Sequence, residues 1–241
     1  MIKRFCVTTT FTVVVLVTGI FAYLHGYLRF NYPDRSLYPV MGIDVSHHQG
    51  DIDWLSLKSQ KNIGFAYIKA TEGGDFVDPK FHKNWVEASG AGIPRGAYHF
   101  FTFCRSGKEQ ADNFIKTVPA ESGALPPVID FEFTGNCSRR PSKDKMLKEV
   151  FACANAIEEH YAHKPIFYVT YNSYRTYLDG GIDDYQIWIR DILMHPSAKK
   201  IPDWIFWQYA DHARINGIKG PVDLDVFRGN GKAFQILLEK R

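Results

Sequence analysis

Four acidic residues stand where predicted β-strands begin or end, and their types and spacing suit hydrolysis of a glycosidic bond. Asp130 and Glu132 close one apolar run, Asp44 closes an earlier one and Asp223 opens a later one. Because alternate side chains of a strand share a face, Asp130 and Glu132 point to the same side, away from Phe131. Glycosidic cleavage needs one carboxyl that stays protonated, to donate to the leaving oxygen, and another that stays ionised. Glu132, beside a like charge and flanked by aromatic residues, is the expected proton donor.

These acids need a scaffold that brings strand ends together. Eight β-rich runs alternate with helical patterns, which is typical of α/β folds with a parallel sheet or barrel. The predicted strands cover residues 41–45, 63–70, 95–101, 127–133, 165–170, 186–190, 204–209 and 222–226, and the predicted helices cover residues 78–89, 106–118 and 142–163. The later connections are too short, or too broken by Gly and Pro, for a full helix after every strand. We therefore predict an irregular eight-stranded (β/α) TIM-like barrel with fewer helices than strands, and with parallel strands whose C-terminal ends carry the acids.

A purely structural interpretation of the Asp130 and Glu132 pair also exists. Acids at strand ends commonly accept loop amides or form ion pairs, here with Arg139 or Arg140. Four acids from three separate runs that meet at one end of a barrel favour the catalytic interpretation.

Sugar rings stack on aromatic faces, and amides hydrogen-bond to acetamido groups. The expected substrate-binding residues are Tyr67, Tyr98, Tyr171, Trp188 and Gln208. Each aromatic residue has an alternative role in filling the barrel, since aromatic side chains contribute most through burial. His47 and His48 lie on a strand-end loop without an evident third ligand, so we predict no metal and no other cofactor.

The N-terminal segment predicts export. Lys3 and Arg4 precede residues 5–28, a run without acidic or basic side chains that is long enough to cross a bilayer. The basic residues favour an N-terminus inside the cell and the rest of the chain outside the cytoplasm. We predict a signal anchor over residues 1–30, with a cleaved signal peptide as the alternative, then a linker over residues 31–40 and one catalytic domain over residues 41–241. The domain would be anchored in the inner membrane and face the periplasm or the cell exterior, or be secreted after cleavage.

Charge and cysteines limit the remaining choices. The net charge of +3 is spread along the chain, so it does not indicate nucleic-acid binding and does not oppose an anionic cell-wall polymer. We expect a monomer. Cys6 lies in the apolar segment and Cys153 in a helical pattern where it packs as a small hydrophobe. Cys104 and Cys137 each follow a predicted strand, and in an oxidising compartment we expect these two to pair.

Around the acids the chain closely resembles the family 25 glycoside hydrolases, the Chalaropsis-type lysozymes. The resemblance extends from about residue 41 to residue 227 and depends on an ordered set of motifs rather than on one. These motifs are Gly42-Ile43-Asp44-Val45-Ser46, Gln49-Gly50, Ile52-Asp53-Trp54, Tyr67-Ile68-Lys69-Ala70-Thr71-Glu72-Gly73, Gly96-Ala97-Tyr98-His99-Phe100, Pro127-Val128-Ile129-Asp130-Phe131-Glu132, Trp207-Gln208-Tyr209 and Val222-Asp223-Leu224.

The resemblance implies an irregular α/β barrel with a negatively charged groove that binds the glycan strand of peptidoglycan. The bond hydrolysed would be the β-1,4 bond between N-acetylmuramic acid and N-acetylglucosamine. It implies an acidic quartet of Asp44, Asp130, Glu132 and Asp223, with Glu132 as the catalytic acid. In the family, either a carboxylate attacks the sugar or the substrate's own 2-acetamido group attacks while an Asp orients it. Because Asp130 and Glu132 lie on one side of the sugar plane, we favour substrate assistance with Asp130 in the orienting role.

The sequence departs from the family pattern at two positions. Asp225 stands where relatives often carry Asn, and we expect it to point away from the partners of Asp223 or to add charge. The sixth predicted strand continues Trp188-Ile189-Arg190-Asp191 where relatives often have Ala and an aromatic residue, and we expect Arg190 to narrow or re-aim the rim of the groove.

Other functions would use the same features differently. Another hexosaminidase, such as a chitin-cleaving enzyme, would use the same acids on a different polymer. A non-catalytic wall-binding module would keep the groove without turnover, and an envelope scaffold would make the acidic groove incidental.

Overall fold

The structure is a computed structural model that describes residues 2–24, 27–28, 31–60, 63–199, 201 and 204–239. The β-strands among these residues are β1 Met41–Val45, β2 Phe65–Glu72, β3 Phe76–Val77, β4 Arg95–Phe100, β5 Val128–Phe131, β6 Ile166–Val169, β7 Ile187–Arg190, β8 Trp204–Ala213 and β9 Val222–Phe227. The α-helices are α1 Ile2–Leu24, α2 Trp54–Ser59, α3 Phe81–Gly90, α4 Gly107–Thr117, α5 Lys143–Tyr161, α6 Tyr171–Ser173 and α7 Gly231–Glu239.

Eight strands close into a barrel, which confirms the predicted mixed α/β fold. Their order is β1-β9-β8-β7-β6-β5-β4-β2, and β1 pairs with β2 to close the ring. The short strand β3 pairs antiparallel with the end of β2. There are fewer helices than strands in the described part of the chain, as expected.

The last barrel strand corrects the prediction of parallel strands throughout. Strand β9 runs antiparallel to both β1 and β8. Only residues 214–221 connect β8 to β9, and a parallel pair would need a crossover of a dozen or more residues. The chain therefore turns back on itself. As a result Asp223, at the start of β9, lies at the same mouth as the residues that end the parallel strands.

The apolar core forms two layers, one inside the barrel and one between its strands and the surrounding helices. The inner layer consists of large aromatic side chains together with residues of α7 that close the end opposite the acids; it includes Phe65, Tyr67, Trp188, Phe206, Phe227, Phe234 and Leu237. The outer layer packs α3, α4 and α5 against the strands through residues such as Trp85, Phe114 and Val150. The barrel is thus a packed core with an open top, as the fold requires.

Two glycines make room for the aromatic rings inside the barrel. A Cβ atom at Gly42 would overlap the ring of Phe65, and one at Gly96 would overlap the ring of Tyr67. Both glycines lie in strands, where a residue without a side chain weakens the strand, so their presence reflects this close packing.

The three predicted helices correspond to α3, α4 and α5, with ends that differ by a few residues. Ser106 caps α4 by accepting the amide of Glu109. Helix α3 begins three residues later than predicted because Asp78 is buried and accepts the amide of His47 instead of starting the helix. Sequence patterns missed the short helices α2 and α6, the π-helical turn Tyr174–Leu178 that follows α6, and the C-terminal helix α7.

Two observations concern the N-terminal region. No helix within the described residues combines the length and the mean hydropathy needed to span a bilayer. Positions 1, 25, 26, 29 and 30 of the predicted signal anchor lie outside the described residues. Residues 31–40, the predicted linker, contact the barrel. Asn31 Nδ2 donates to the carbonyl oxygens of Asp191 and Met194 at 3.0 and 2.8 Å, and the Tyr38 ring lies 6.0 Å from that of Trp204.

Candidate active site

A pocket at the C-terminal mouth of the barrel brings all four predicted acids together. Its lining consists of Asp44, Tyr98, Val128, Asp130, Glu132, Tyr168, Trp188, Gln208 and Asp223. Strands β1, β4, β5, β6, β7, β8 and β9 each contribute to it, or in the case of Glu132 the residue that follows a strand. Convergence from this many strands is what a barrel mouth makes possible.

Strand β5 delivers two of the acids. Asp130 lies within the strand and Glu132 directly after it, while Phe131 points the other way and its ring lies 4.9 Å from that of Phe103 in the outer core. Neither carboxyl forms an ion pair with Arg139 or Arg140 among the described residues; Arg140 instead donates to backbone carbonyls. The Oδ1 atom of Asp130 is buried without a hydrogen-bond partner in the same part of the chain.

A chain of hydrogen bonds orients Asp44. Gln208 Nε2 donates to Asp44 Oδ2 at 2.8 Å, and the Tyr168 hydroxyl donates to Gln208 Oε1 at 2.9 Å. Both bonds are buried, so the phenol fixes which way the amide faces and the amide fixes the carboxyl. Strand pairing sets Asp44 directly opposite Asp223. Sequence reasoning missed Tyr168, whose only signal was its inward position two residues before the end of a predicted strand.

Asp225 lies deeper in the same cluster, so of the two expectations for it, the one that it adds charge fits and the one that it points away does not. It shares a face of β9 with Asp223 and is 0% exposed. Its Oδ1 atom accepts the indole N–H of Trp188 at 2.9 Å, whereas Oδ2 has no hydrogen-bond partner in the described chain. Asp225 thus adds a fifth carboxyl beneath the pocket and anchors the tryptophan that forms its floor.

Burial is the main cause of the raised pKa values of these carboxyls. It raises the pKa of Glu132 to about 7, with Arg190 and Lys69 opposing the rise and Asp44 adding to it. Burial also raises the pKa of Asp44 to about 6, against the hydrogen bond from Gln208. The pKa values of Asp130 and Asp223 are raised well above the usual range, first by burial and then by the charges of Glu132 and Asp44 respectively. The cluster therefore retains protons at neutral pH that separate carboxyls would lose.

Two cations balance this cluster: Arg190, which the sequence placed at the rim of the groove, and Lys69, which it did not place in the site. Arg190 ends β7 on the same face as Trp188, donates to Asp211 at 2.6 Å and lowers the pKa of Glu132. Lys69 donates to Glu72 at 2.7 Å and its side chain is only 12% exposed. Each keeps a carboxylate partner of its own, so neither neutralises the carboxyls of Asp130 and Glu132 outright.

Of the five predicted substrate-binding residues, three line the pocket and two do not. Tyr98, Trp188 and Gln208 are in the lining. Tyr67 is 0% exposed and lies below it, where its hydroxyl donates to the carbonyl of Pro126 at 3.2 Å and its ring lies 4.9 Å from that of Trp188. Tyr171 begins α6 outside the pocket, with the ammonium of Lys199 4.2 Å from its ring centroid.

A disulfide joins Cys104 and Cys137, in the loops that follow β4 and β5. Asn136 connects the same loops: its side chain donates to the carbonyls of Phe101 and Glu132 at 2.8 and 2.9 Å and accepts the amide of Phe103 at 2.9 Å. These contacts fix the backbone of Glu132 relative to the neighbouring loop. Cys153 is free and buried in α5.

Comparison with known proteins identifies relatives of the chain in sequence and in fold. Residues 43–218 match the model of glycosyl hydrolases family 25. A family 25 glycosyl hydrolase from Bacillus anthracis has a similar structure, with a TM-score of 0.81 and 40% identity over 88% of this chain and 98% of that one. Lysozyme M1 of Streptomyces globisporus is 34% identical over 82% of this chain and 70% of its own length. The uncharacterized protein YegX of Escherichia coli (strain K12) is 35% identical over 84% of this chain and 74% of its own length.

Proposed function

The chain belongs to the family 25 glycosyl hydrolases, and from that membership we propose that it is a lysozyme that hydrolyses the β-1,4 bond between N-acetylmuramic acid and N-acetylglucosamine in peptidoglycan. The observation that carries this proposal is the convergence of Asp44, Asp130, Glu132 and Asp223 in one pocket, with a carboxyl whose pKa is about 7. That carboxyl can give up a proton at neutral pH, which is what a leaving sugar oxygen requires.

We assign the proton donor to Glu132 and the orienting role to Asp130. Glu132 protonates the glycosidic oxygen while the acetamido oxygen of the N-acetylmuramic acid forms a bond to the anomeric carbon, so that the glycosidic bond breaks. The ionised Glu132 then takes a proton from water, which attacks the same carbon and releases the acetamido oxygen, with retention of configuration. The unpartnered Oδ1 atom of Asp130 supports its role, because it is free to accept the acetamido N–H.

The remaining lining residues would bind and orient the sugars. Asp44 and Asp223, across the pocket, would accept hydrogen bonds from sugar hydroxyls, and Asp44 also raises the pKa of Glu132. Tyr98 and Gln208 would contact the ring and the acetamido group. Trp188 is 1% exposed, so it would act as a floor rather than as a stacking platform.

We also propose that residues 41–241 are the catalytic domain and that it acts outside the cytoplasm, where peptidoglycan and disulfide-permitting conditions are found. The disulfide between Cys104 and Cys137 supports this location. Whether residues 1–30 are retained or cleaved is tested by N-terminal sequencing of the mature protein and by its release from membranes at high salt.

The test of function is incubation of the full chain with purified peptidoglycan and analysis of new reducing ends by mass spectrometry. Glu132→Gln is the critical variant, and Glu159→Gln, an exposed position on α5, is the matched control. We expect N-acetylmuramic acid reducing ends from the wild type and the control, and a loss of about 10²- to 10⁴-fold in the critical variant.

Each competing function gives a different result. N-acetylglucosamine reducing ends, or turnover of chitin and not of peptidoglycan, would indicate another hexosaminidase. Binding of sacculi without products from the folded wild type would indicate a wall-binding module. Equal product yields from the wild type and Glu132→Gln would remove the proposed acid from the mechanism.

A further inference from the structure

A second cleft has the opposite charge to the acidic pocket, and its lining residue Phe101 donates its backbone amide to the carbonyl of Asp130 at 2.9 Å. It has a volume of about 610 Å³ and is built mainly from the loops after β4 and β5 and from the first turns of α5. Those loops extend from the C-terminal ends of two parallel strands, which is the end of the barrel that carries the candidate active site.

Basic side chains dominate its lining. Five cationic residues face one acidic residue: Arg105, Arg139, Arg140, Lys145 and Lys148 against Glu149. The whole chain carries a net charge of only +3, so positive charge is concentrated here. Glu149 is already engaged, because it accepts the backbone amide of Gly107 at 2.7 Å.

Three of these cations are available to a ligand. Arg105 pairs with Asp75 at 3.3 Å, and Arg140 lies over the ring of Phe133 and donates to nearby carbonyls. Arg139, Lys145 and Lys148, by contrast, are exposed and form no ion pair with any described residue. The folded protein thus leaves positive charge uncompensated at the edge of the cleft.

The wall of the cleft is linked to the backbone of the proposed proton donor. Asn136 donates to the carbonyl of Glu132 at 2.9 Å, and the next residue, Cys137, is tied by its disulfide to Cys104 in the cleft wall. An extended peptide of four residues spans about 14 Å. A peptide attached to a sugar in the acidic pocket would have to bridge to the cleft within this length.

We propose that this basic cleft binds the carboxylates of the short peptide that peptidoglycan carries on the lactyl group of its N-acetylmuramic acid. The inference rests on the proposed function, and it adds a peptide subsite to the sugar subsites. The peptide is anionic and starts at one of the two sugars that flank the bond to be cleaved. Arginine and lysine side chains recognise carboxylates through charge-assisted hydrogen bonds.

The kinetic test compares two substrates and two matched variants. One substrate is peptidoglycan freed of attached phosphate polymers, and the other is the same glycan stripped of its peptides by an amidase. Lys145→Ala combined with Lys148→Ala removes two charges from the cleft. Lys116→Ala combined with Lys232→Ala removes two exposed charges on helices α4 and α7, outside the cleft lining.

We expect the cleft variant to raise KM on the peptide-bearing substrate by about fivefold to tenfold, to leave kcat unchanged and to leave turnover of the bare glycan unchanged. The control variant should match the wild type on both substrates. The wild-type preference for the peptide-bearing substrate should shrink as salt is added, because exposed charge pairs are screened.

A binding experiment that needs no turnover separates the two proposals. Free stem peptide is titrated into the full chain and followed by NMR. Saturable shifts that vanish in the cleft variant support the peptide subsite even if no glycan is cleaved, in which case only the proposed function fails. Equal KM values for both variants, an effect of equal size on the bare glycan, or an effect seen only when phosphate polymers remain attached would each overturn the peptide subsite.

Discussion

Replacing Glu132 by glutamine should make the protein more stable at pH 8 while removing its proton donor. Burial raises the pKa of this carboxyl from 4.5 to about 7 in the folded chain. A raised folded pKa means that its stabilising contribution is fully present below pH 4.5 and is lost as the pH rises through 7. Glutamine has the same shape and does not ionise, so the variant escapes that loss.

The size of the effect follows from the two pKa values. A shift of roughly 2.5 units corresponds to an upper limit of about 3 kcal/mol at pH 8, and we expect about 1–3 kcal/mol since water reaches part of the carboxyl. For a domain of this size that is a rise in Tm of about 2–12 °C. The same titration predicts that wild-type activity falls about tenfold between pH 6 and pH 8 as the donor loses its proton.

Urea or thermal unfolding at pH 4, 6 and 8 measures the effect, with Glu159→Gln as the control for removal of one charge. Comparing the free energy of unfolding of each variant between pH values cancels any destabilisation by the substitution that does not depend on pH. A stability difference between Glu132→Gln and the wild type that is equal at pH 4 and pH 8 would refute the argument that burial holds the proton. A flat activity profile from pH 6 to pH 9 would refute it independently.

Three further outcomes are expected. Arg190→Gln should move the alkaline limb of the activity profile to higher pH, because the guanidinium lowers the pKa of the proton donor; a limb that stays in place or moves down would contradict this. Asp225→Leu should lower the free energy of unfolding in urea by about 1–3 kcal/mol, because the buried indole N–H of Trp188 loses its acceptor. Asp225→Asn should keep that hydrogen bond, and its loss of unfolding free energy relative to the wild type should be smaller at pH 8 than at pH 4. Serine at both Cys104 and Cys137 should lower stability by about 2–4 kcal/mol, given the 33-residue separation, and equal unfolding midpoints with and without reductant for the wild type would argue against the bond.

Local patterns were enough to predict the barrel and its acids. Alternation and apolar runs marked every barrel strand, and the position of Asp44, Asp130, Glu132 and Asp223 at strand ends brought them to one mouth. The direction of β9 was missed because a strand has the same pattern read either way. The length of the connection before it held the missing information.

Local patterns could not predict the contacts between residues on distant strands. Nothing local distinguishes Tyr67, which lies under the pocket, from Tyr98, which lines it, since depth in a barrel depends on the stagger between strands. The same holds for the bond from Tyr168 to Gln208 and for the burial of Asp225. Each depends on residues about 40 positions or more apart that only the closed barrel brings together.

The two glycines that face the barrel interior limit the order in which substitutions can occur during the evolution of this sequence. Gly42 and Phe65 occupy a single shared space, as do Gly96 and Tyr67. Neither glycine can be replaced by a residue with a side chain until the aromatic residue paired with it has been replaced by a smaller one. The smaller residue alone leaves a void in the barrel. The two substitutions of a pair must therefore occur in a fixed order. The intermediate that carries only the smaller residue is less stable than the starting protein, so each pair changes through that intermediate or stays as it is.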